Sequence, residues 1–292
     1  MRGPPNPRNR ATASPNDQAR EGLRAAVGDE FAAIRSRHRS SNEYPVFVKD
    51  LHAEEWEALA RRAPYFCLLT HEGHVETRST SVATEEFFET GEADIASLLS
   101  AIASILGHGP PLNASLDFGC GAGRLTLPLA RRSNTVVACD VAPTMLAHAR
   151  QNAADAGLRN VTFIELEELS LLPHGQFNFV CALLVFQYIP VSAGCEIVRN
   201  LLDLLAPSGV AALQVCLEGR TTSRTTRARF FHRARTLAAH SQKAYTDANV
   251  YDEQAVRRAI DAAGARLIGR FATRQDGSGT VLIIDKPATA TE

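Results

Sequence analysis

No apolar run in this chain approaches the ~20 residues needed to cross a bilayer, so the sequence offers no membrane-spanning helix. Charge of neither sign dominates. The 292 residues carry a formal net charge of −1, and no long-range field draws the whole molecule to nucleic acid or to an anionic membrane. CxxC pairs are absent as well. The six cysteines are Cys67, Cys120, Cys139, Cys181, Cys195 and Cys216, and a chain of this size does not need a disulfide framework. They read as reduced, small core residues, which places the protein in the cytoplasm. The stretch 1–20 is rich in Pro, Asn and Arg and lacks the apolar core of a secretory signal. It is expected to be a disordered tail. No internal repeat is visible. What is present is a balance of 45% apolar and 22% charged residues, suited to a packed α/β domain of ordinary size with an N-terminal extension.

After the tail, Leu23, Val27, Phe31 and Ile34 recur at helical spacing. The run 54–64, "EEWEALARRAP", reads as a short helix stopped by proline. "PYFCLLTHE" fits a strand or an extended cover. The run 85–107 reads as one or two helices closed by Gly107, and "HGPPLN" breaks the pattern. These features predict an N-terminal helical cap over 21–110. From 111 to 287 strands and helices alternate. "SLDFG", "TVVACD", "VTFIEL", "FNFVCALLVF" and "VAALQVCL" are nearly continuous apolar runs, as in a parallel sheet covered on both faces. "QDGSG" then separates two further strand-like runs, a turn signal for an antiparallel hairpin. The expected fold is α/β: a doubly wound, mostly parallel, seven-stranded Rossmann-like sheet that ends in that hairpin. Within it, 218–249 is expected to be an insertion covering the ligand.

The chemistry is concentrated in "LDFGCGAGRL", residues 116–125. Glycines at the end of a first strand allow positive φ and close approach of a ligand. A dinucleotide fingerprint requires a small residue where Arg124 stands, and a phosphate loop requires a Gly-Lys pair that is missing here. Asp117, just ahead of the glycines, would repel a pyrophosphate and suit a cationic ligand. Asp140 closes the second strand, about 20 residues past the glycine loop, where a carboxylate accepts hydrogen bonds from ribose hydroxyls. A nucleoside that carries positive charge and no phosphate satisfies both acids. S-adenosyl-L-methionine is such a molecule.

"LDFGCGAGRLTLPLA" and "VVACDVAPTMLAHAR" resemble the first two motifs of the class I S-adenosylmethionine-dependent methyltransferases of small-molecule type. The similarity runs on to about Leu217. The resemblance implies that Asp117, Gly119, Cys120, Gly121 and Gly123 line the methionine part of the cofactor. It gives Asp140 the ribose and Val141 the adenine face. Among Glu165, Glu167 and Glu168 it favours Glu167 for the adenine amino group, and it turns Leu183 towards the cofactor. Two positions depart from the family pattern. Asn178 follows Phe177 where many relatives have aspartate, and Tyr188 precedes Ile-Pro where many have histidine. No catalytic residue is assigned.

The function expected is methyl transfer to a small molecule by in-line displacement. The run Arg220, Arg224, Arg227, Arg229, Arg233 and Arg235 points to an acceptor that carries negative charge, although such a run is usually a solvated face. Enzymes that methylate RNA or protein are the nearest alternative, with nucleic acid disfavoured by the lack of a global basic surface. A non-catalytic, cofactor-binding regulatory protein is the alternative from another class. Tyr188 reads first as a wall residue, and His232 and His240 as part of a solvated face. His71 and His74 lack the further ligands of a metal site, and no metal is expected. The oligomeric state is open.

Overall fold

The structure is a computed structural model that describes residues 53–65, 81–217, 249–272 and 279–288. The expected tail, the helical spacing from Leu23 to Ile34, the His71/His74 pair and the arginine-bearing run at 218–248 lie outside the described residues. So do His232 and His240. All the described residues fall within the unit Asn42–Glu292.

Seven strands form one sheet: β1 (Ala114–Phe118), β2 (Thr135–Asp140), β3 (Val161–Glu165), β4 (Phe177–Ala182), β5 (Leu205–Val215), β6 (Arg266–Ala272) and β7 (Thr280–Asp285). Their spatial order is β3-β2-β1-β4-β5-β7-β6. The first five are parallel, and β7 runs antiparallel to both β5 and β6. The expected mostly parallel sheet with an antiparallel end is therefore present. The order has a physical reading. The chain starts at β1, steps outward to β3, then returns to the other side of β1 and steps outward again. Parallel crossovers are right-handed, so the helices of the two halves cover opposite faces. That accounts for strands apolar along their whole length, such as "TVVACD", in which only Asp140 is not buried.

Among the described residues six α-helices accompany the sheet: α1 (Ala53–Arg62), α2 (Ser81–Leu106), α3 (Thr126–Ala130), α4 (Pro143–Asp155), α5 (Val191–Asp203) and α6 (Glu253–Ala262). Among the described residues, no helix is long and apolar enough to cross a membrane. The run 85–107 is a single helix, α2, closed by Gly107 at φ +77°. Its Ile95, Leu98 and Ile102 stand at helical spacing and enter the same core cluster as Val136 of β2, Phe179 of β4 and Ile283 of β7. α2 is thus a layer of the sheet's own core, and "HGPPLN" is the short link from it into β1.

The helix expected over "GRLTLPLARRS" is shorter than its apolar pattern. It is preceded by a run of turns and spans only Thr126–Ala130. Pro128 sits at its third position, inside the first turn, where a missing N–H costs least. One consequence is that the Arg124 carbonyl receives no bond from residue 128. The backbone of α2 comes down on that carbonyl: a Cβ added at Gly91 would lie 2.1 Å from the Arg124 oxygen. Glycine inside a helix costs about 1 kcal/mol relative to alanine. Here it permits the contact between α2 and the glycine loop.

Gly91→Ala should therefore lower stability by about 1 kcal/mol or more, although alanine is the better helix former. Urea denaturation followed by circular dichroism measures this. An unchanged or raised midpoint would show that α2 does not approach Arg124 so closely.

Candidate active site

The strand order reverses between β1 and β4, and a crevice opens there beyond the carboxyl ends of the strands. It holds a cavity of about 750 Å³, counted out to its open mouth, within the usual range for small-molecule sites. Its floor is the glycine loop. Gly119, Gly121 and Gly123 all have positive φ, at +76°, +53° and +93°. Two of them carry the case for glycine. A Cβ on Gly119 would stand 2.5 Å from Val185, so the loop after β4 is pressed against this backbone. At Gly121 a Cβ would meet nothing within 4 Å, and the residue lines the cavity with bare backbone.

Asp140 fixes this floor. One carboxylate oxygen accepts the Gly121 N–H at 2.8 Å and the other accepts the Ala142 N–H at 2.9 Å. The end of β2 is thereby tied to the loop after β1. Burial pushes its carboxyl up, and the N–H groups of Ala142, Gly121 and Val141 oppose that. A carboxylate has about four acceptor positions, more than these N–H groups fill, and Asp140 lines the cavity. Val141, Met145 and Leu166 form an apolar slot beside it.

Asp117 lies elsewhere. It is sealed under the loop, 1% exposed, and accepts the Thr126 hydroxyl at 2.6 Å. Burial pushes its carboxyl up to about 6, against the Thr126 hydrogen bond and the Arg124 charge. The Cys120 side chain is also buried, among Leu127, Ala138 and Leu146, and Gly123 backs onto Leu127 and Ala149. Of the residues singled out in the sequence, Gly119, Gly121, Asp140 and Val141 line the cavity. Asp117, Cys120 and Gly123 support it from below. Leu166 and Leu184 line it where Glu167 and Leu183 were singled out, one residue away in each case. Leu183 packs against the sheet core instead.

Arg124 stands where a dinucleotide fingerprint needs a small residue. Its side chain leaves the helix–strand contact and runs to α2, where its guanidinium meets Asp94 at 2.6 Å and Thr90 Oγ1 at 3.3 Å. Arg131 and Arg132 both reach Glu92, two residues before Asp94 on the same helix.

The far wall follows β4. Leu184 holds a left-handed φ of +62°, rare for a leucine, and its N–H donates to Gln214 Oε1 at 3.0 Å. The turn Phe186–Tyr188 is fixed from outside by Tyr251, whose hydroxyl lies 3.1 Å from the Phe186 carbonyl and 2.8 Å from that of Ile189. Gly194 makes room for that phenol. Asn249 adds its backbone and side-chain N–H groups to the Gln187 carbonyl. The residues bounding 218–248 therefore meet the cavity wall on one side and Leu217, at the end of β5, on the other.

The roof is α1. Trp56 and Pro64 line the cavity from above, and the Trp56 ring meets that of Tyr188 edge-on, with centroids 5.0 Å apart. Glu57 anchors the helix by accepting the backbone N–H of Thr144 at 3.0 Å and its hydroxyl. Those bonds, the hydroxyl's first, hold the Glu57 carboxyl below the usual range. Motif reasoning does not reach Trp56 or Pro64, because the signal is a tertiary contact made 60 residues before the glycine loop, by count from the sequence. Among the described residues, no group of three or more His, Cys, Asp or Glu is placed to hold a metal ion.

Residues 116–209 match a family described as "Methyltransferase domain". A relative named 23S rRNA (uracil(1939)-C(5))-methyltransferase from Photobacterium angustum is 39% identical over 103 residues, which are 34% of this chain and 45% of that protein. A ubiquinone biosynthesis O-methyltransferase from Acinetobacter baumannii is 32% identical over 96 residues, 32% of this chain and 40% of the relative. The chain thus spans less than half the length of these relatives. In fold it is similar to the magnesium protoporphyrin IX methyltransferase of Synechocystis PCC 6803, solved with bound S-adenosylhomocysteine. The TM-score is 0.54 at 18% identity, over 80% of this chain and 97% of that one.

The buried Asp117 gives a pH test. Its folded value of about 6 lies above the ordinary 3.8, so its contribution is fully present below about pH 4 and is lost as pH rises through 6. Asp117→Asn should make the protein more stable than wild type near pH 7.5, on the order of 2 kcal/mol, and equally stable near pH 3.5. A variant less stable at both values would contradict this. Strand order, glycine loop and strand-two acid fall within the region 116–209 that is similar to a methyltransferase domain.

Proposed function

We propose that this chain transfers a methyl group from S-adenosylmethionine to a small-molecule acceptor. The observation that carries the reading is the cavity at the switch point, where Asp140 and the bare backbone of Gly121 face an otherwise apolar space. These residues fit the cofactor's mixed chemistry. Asp140 would hold the ribose hydroxyls, and Val141, Met145 and Leu166 would bracket the adenine. Glu167, next to Leu166, would meet the adenine amino group at the cavity edge, and Leu183 would back the far wall. Asp117, Cys120 and Gly123 keep the loop in shape for the methionine end.

When bound, the cofactor would supply a methyl group on a sulfonium sulfur, open to displacement by an acceptor lone pair, with the carbon–sulfur electron pair leaving on the sulfur and any acceptor proton passing to solvent at the open mouth. The chain's own residues align the partners and exclude water. Trp56 of α1 and Pro64 just beyond that helix close the top of the crevice, and the turn Phe186–Tyr188, braced by Tyr251, closes the side. No strong base is needed for a phenolate or carboxylate, so the absence of the family's usual histidine at Tyr188 is compatible with turnover. Methylation of an RNA base is the second reading, favoured by the 39% identity to the rRNA relative. The apolar roof favours the small molecule.

Asp140→Ala should weaken S-adenosylhomocysteine roughly ten- to a hundredfold by calorimetry, since hydrogen bonds to a charged acceptor contribute ~1.5–3 kcal/mol. Asp140→Asn keeps the shape and should fall between the two. Methyl-labelled cofactor, offered with a panel of phenols and carboxylic acids and separately with ribosomal RNA, tests the acceptor. Label in small molecules supports the reading and label confined to RNA overturns it. Binding without transfer to either marks a non-catalytic protein.

A further inference from the structure

The sheet order orients the cavity. β1 lies between β2 and β4, so a nucleoside held by Asp140 at the end of β2 puts its reactive end over the β1 loop. What reacts with it must then stand over the loop after β4. That part of the cavity is walled by Leu184, Val185, Tyr188 and Ile189 and roofed by Trp56. Every one of these side chains is apolar or aromatic. Asp140 is the sole charged group among the described lining residues, and it belongs to the nucleoside side, at the end of β2.

α1 bridges the two sides. Glu57 is fastened to Thr144 at the start of α4, beyond β2, while its neighbour Trp56 reaches across to Tyr188 beyond β4. The two rings meet at 75°, which leaves them as a corner with one face and one edge, the arrangement aromatic rings adopt around a third ring. Neither ring is fully buried. A carboxylate or phosphate entering this corner would lose water and meet no cation among the described residues, and it would feel the negative charge of Asp140.

We infer that the Trp56–Tyr188 corner is the acceptor subsite, and that it selects an uncharged, planar, aromatic acceptor. This rests on the methyltransferase reading above and differs from the anionic acceptor expected from the arginine run, which lies outside the described residues. Trp56 and Tyr188 are acceptor-binding residues, and neither takes a proton in the reaction. The nucleophile is a hydroxyl or amine on the ring: its lone pair would take the methyl group as the carbon–sulfur bond breaks, its proton would pass to solvent at the open mouth of the cavity, and the flat ring gives the orientation.

The chain contains a single tryptophan, so its fluorescence reports on this corner directly. The probes are naphthol and naphthoate, the same ring without and with charge, titrated into the full chain with and without saturating S-adenosylhomocysteine. Naphthol should change Trp56 emission saturably and bind about tenfold or more tighter than naphthoate. By calorimetry, Trp56→Ala and Tyr188→Ala should each weaken naphthol about fivefold or more, with S-adenosylhomocysteine affinity held within about threefold. Trp56→Phe and Tyr188→Phe should retain naphthol, which guards against alanine variants that fail to fold. Naphthoate binding as tightly as naphthol, or both alanine variants binding naphthol like wild type, overturns the inference. Failure of S-adenosylhomocysteine to bind overturns the methyltransferase reading instead, and the two results are read in separate titrations.

Discussion

The Asp140 carboxylate holds two loops at once. By accepting N–H groups from Gly121 and Ala142, it binds the loop after β1 to the end of β2. Without it the glycine loop, with three consecutive alternate residues at positive φ, would have a large ensemble to explore. Other features follow from the same constraint. Ala142 precedes Pro143 at the start of α4, and Thr144 in that first turn is where Glu57 seats α1. The floor, the slot beside it and the roof are linked through one acidic side chain.

The second linkage runs beneath the floor. Thr126 donates to Asp117, Arg124 pairs with Asp94, and Gly91 lets α2 rest on the Arg124 carbonyl. An arginine that excludes a dinucleotide site becomes the tie between the glycine loop and the layer above the sheet. The Arg124 charge is nearly buried and the pair is short, so breaking it by removing Asp94 alone would strand a buried cation. The pair fixes where α2 sits, and α2 in turn supplies the apolar residues that cover β2, β4 and β7 on that face.

The sequence made the sheet legible because its signals are local. Continuous apolar strands, "LDFGCGAGRL", Asp140 and the "QDGSG" turn each read without reference to distant residues. Gly119, Gly121, Asp140 and Val141 fall at the cavity for the same reason. Leu166 and Leu184 stand one position from the residues picked, because a short helical turn after β3 and a left-handed Leu184 after β4 rotate side chains in ways no periodicity encodes. Asp117 reads as a ligand-facing charge in the sequence, while its partner Thr126 sits nine residues ahead and draws it inward. Trp56, Glu57 and Arg124 gain their roles only through contacts between segments far apart in the chain. Helix over 85–107 is legible in the sequence, but its start at Ser81, its being one helix and its place in the sheet core are not, since an apolar helical face does not name the surface it covers.

The central claim is that one nucleoside cofactor spans the crevice from Asp140 to the glycine loop, below α1. A crystal structure of the full chain with S-adenosylhomocysteine tests it most directly. The account requires ribose hydroxyls within hydrogen-bond distance of Asp140, adenine between Val141 and Leu166, and the sulfur directed toward Tyr188. A ligand bound with its ribose away from Asp140, or seated outside this crevice, would contradict it.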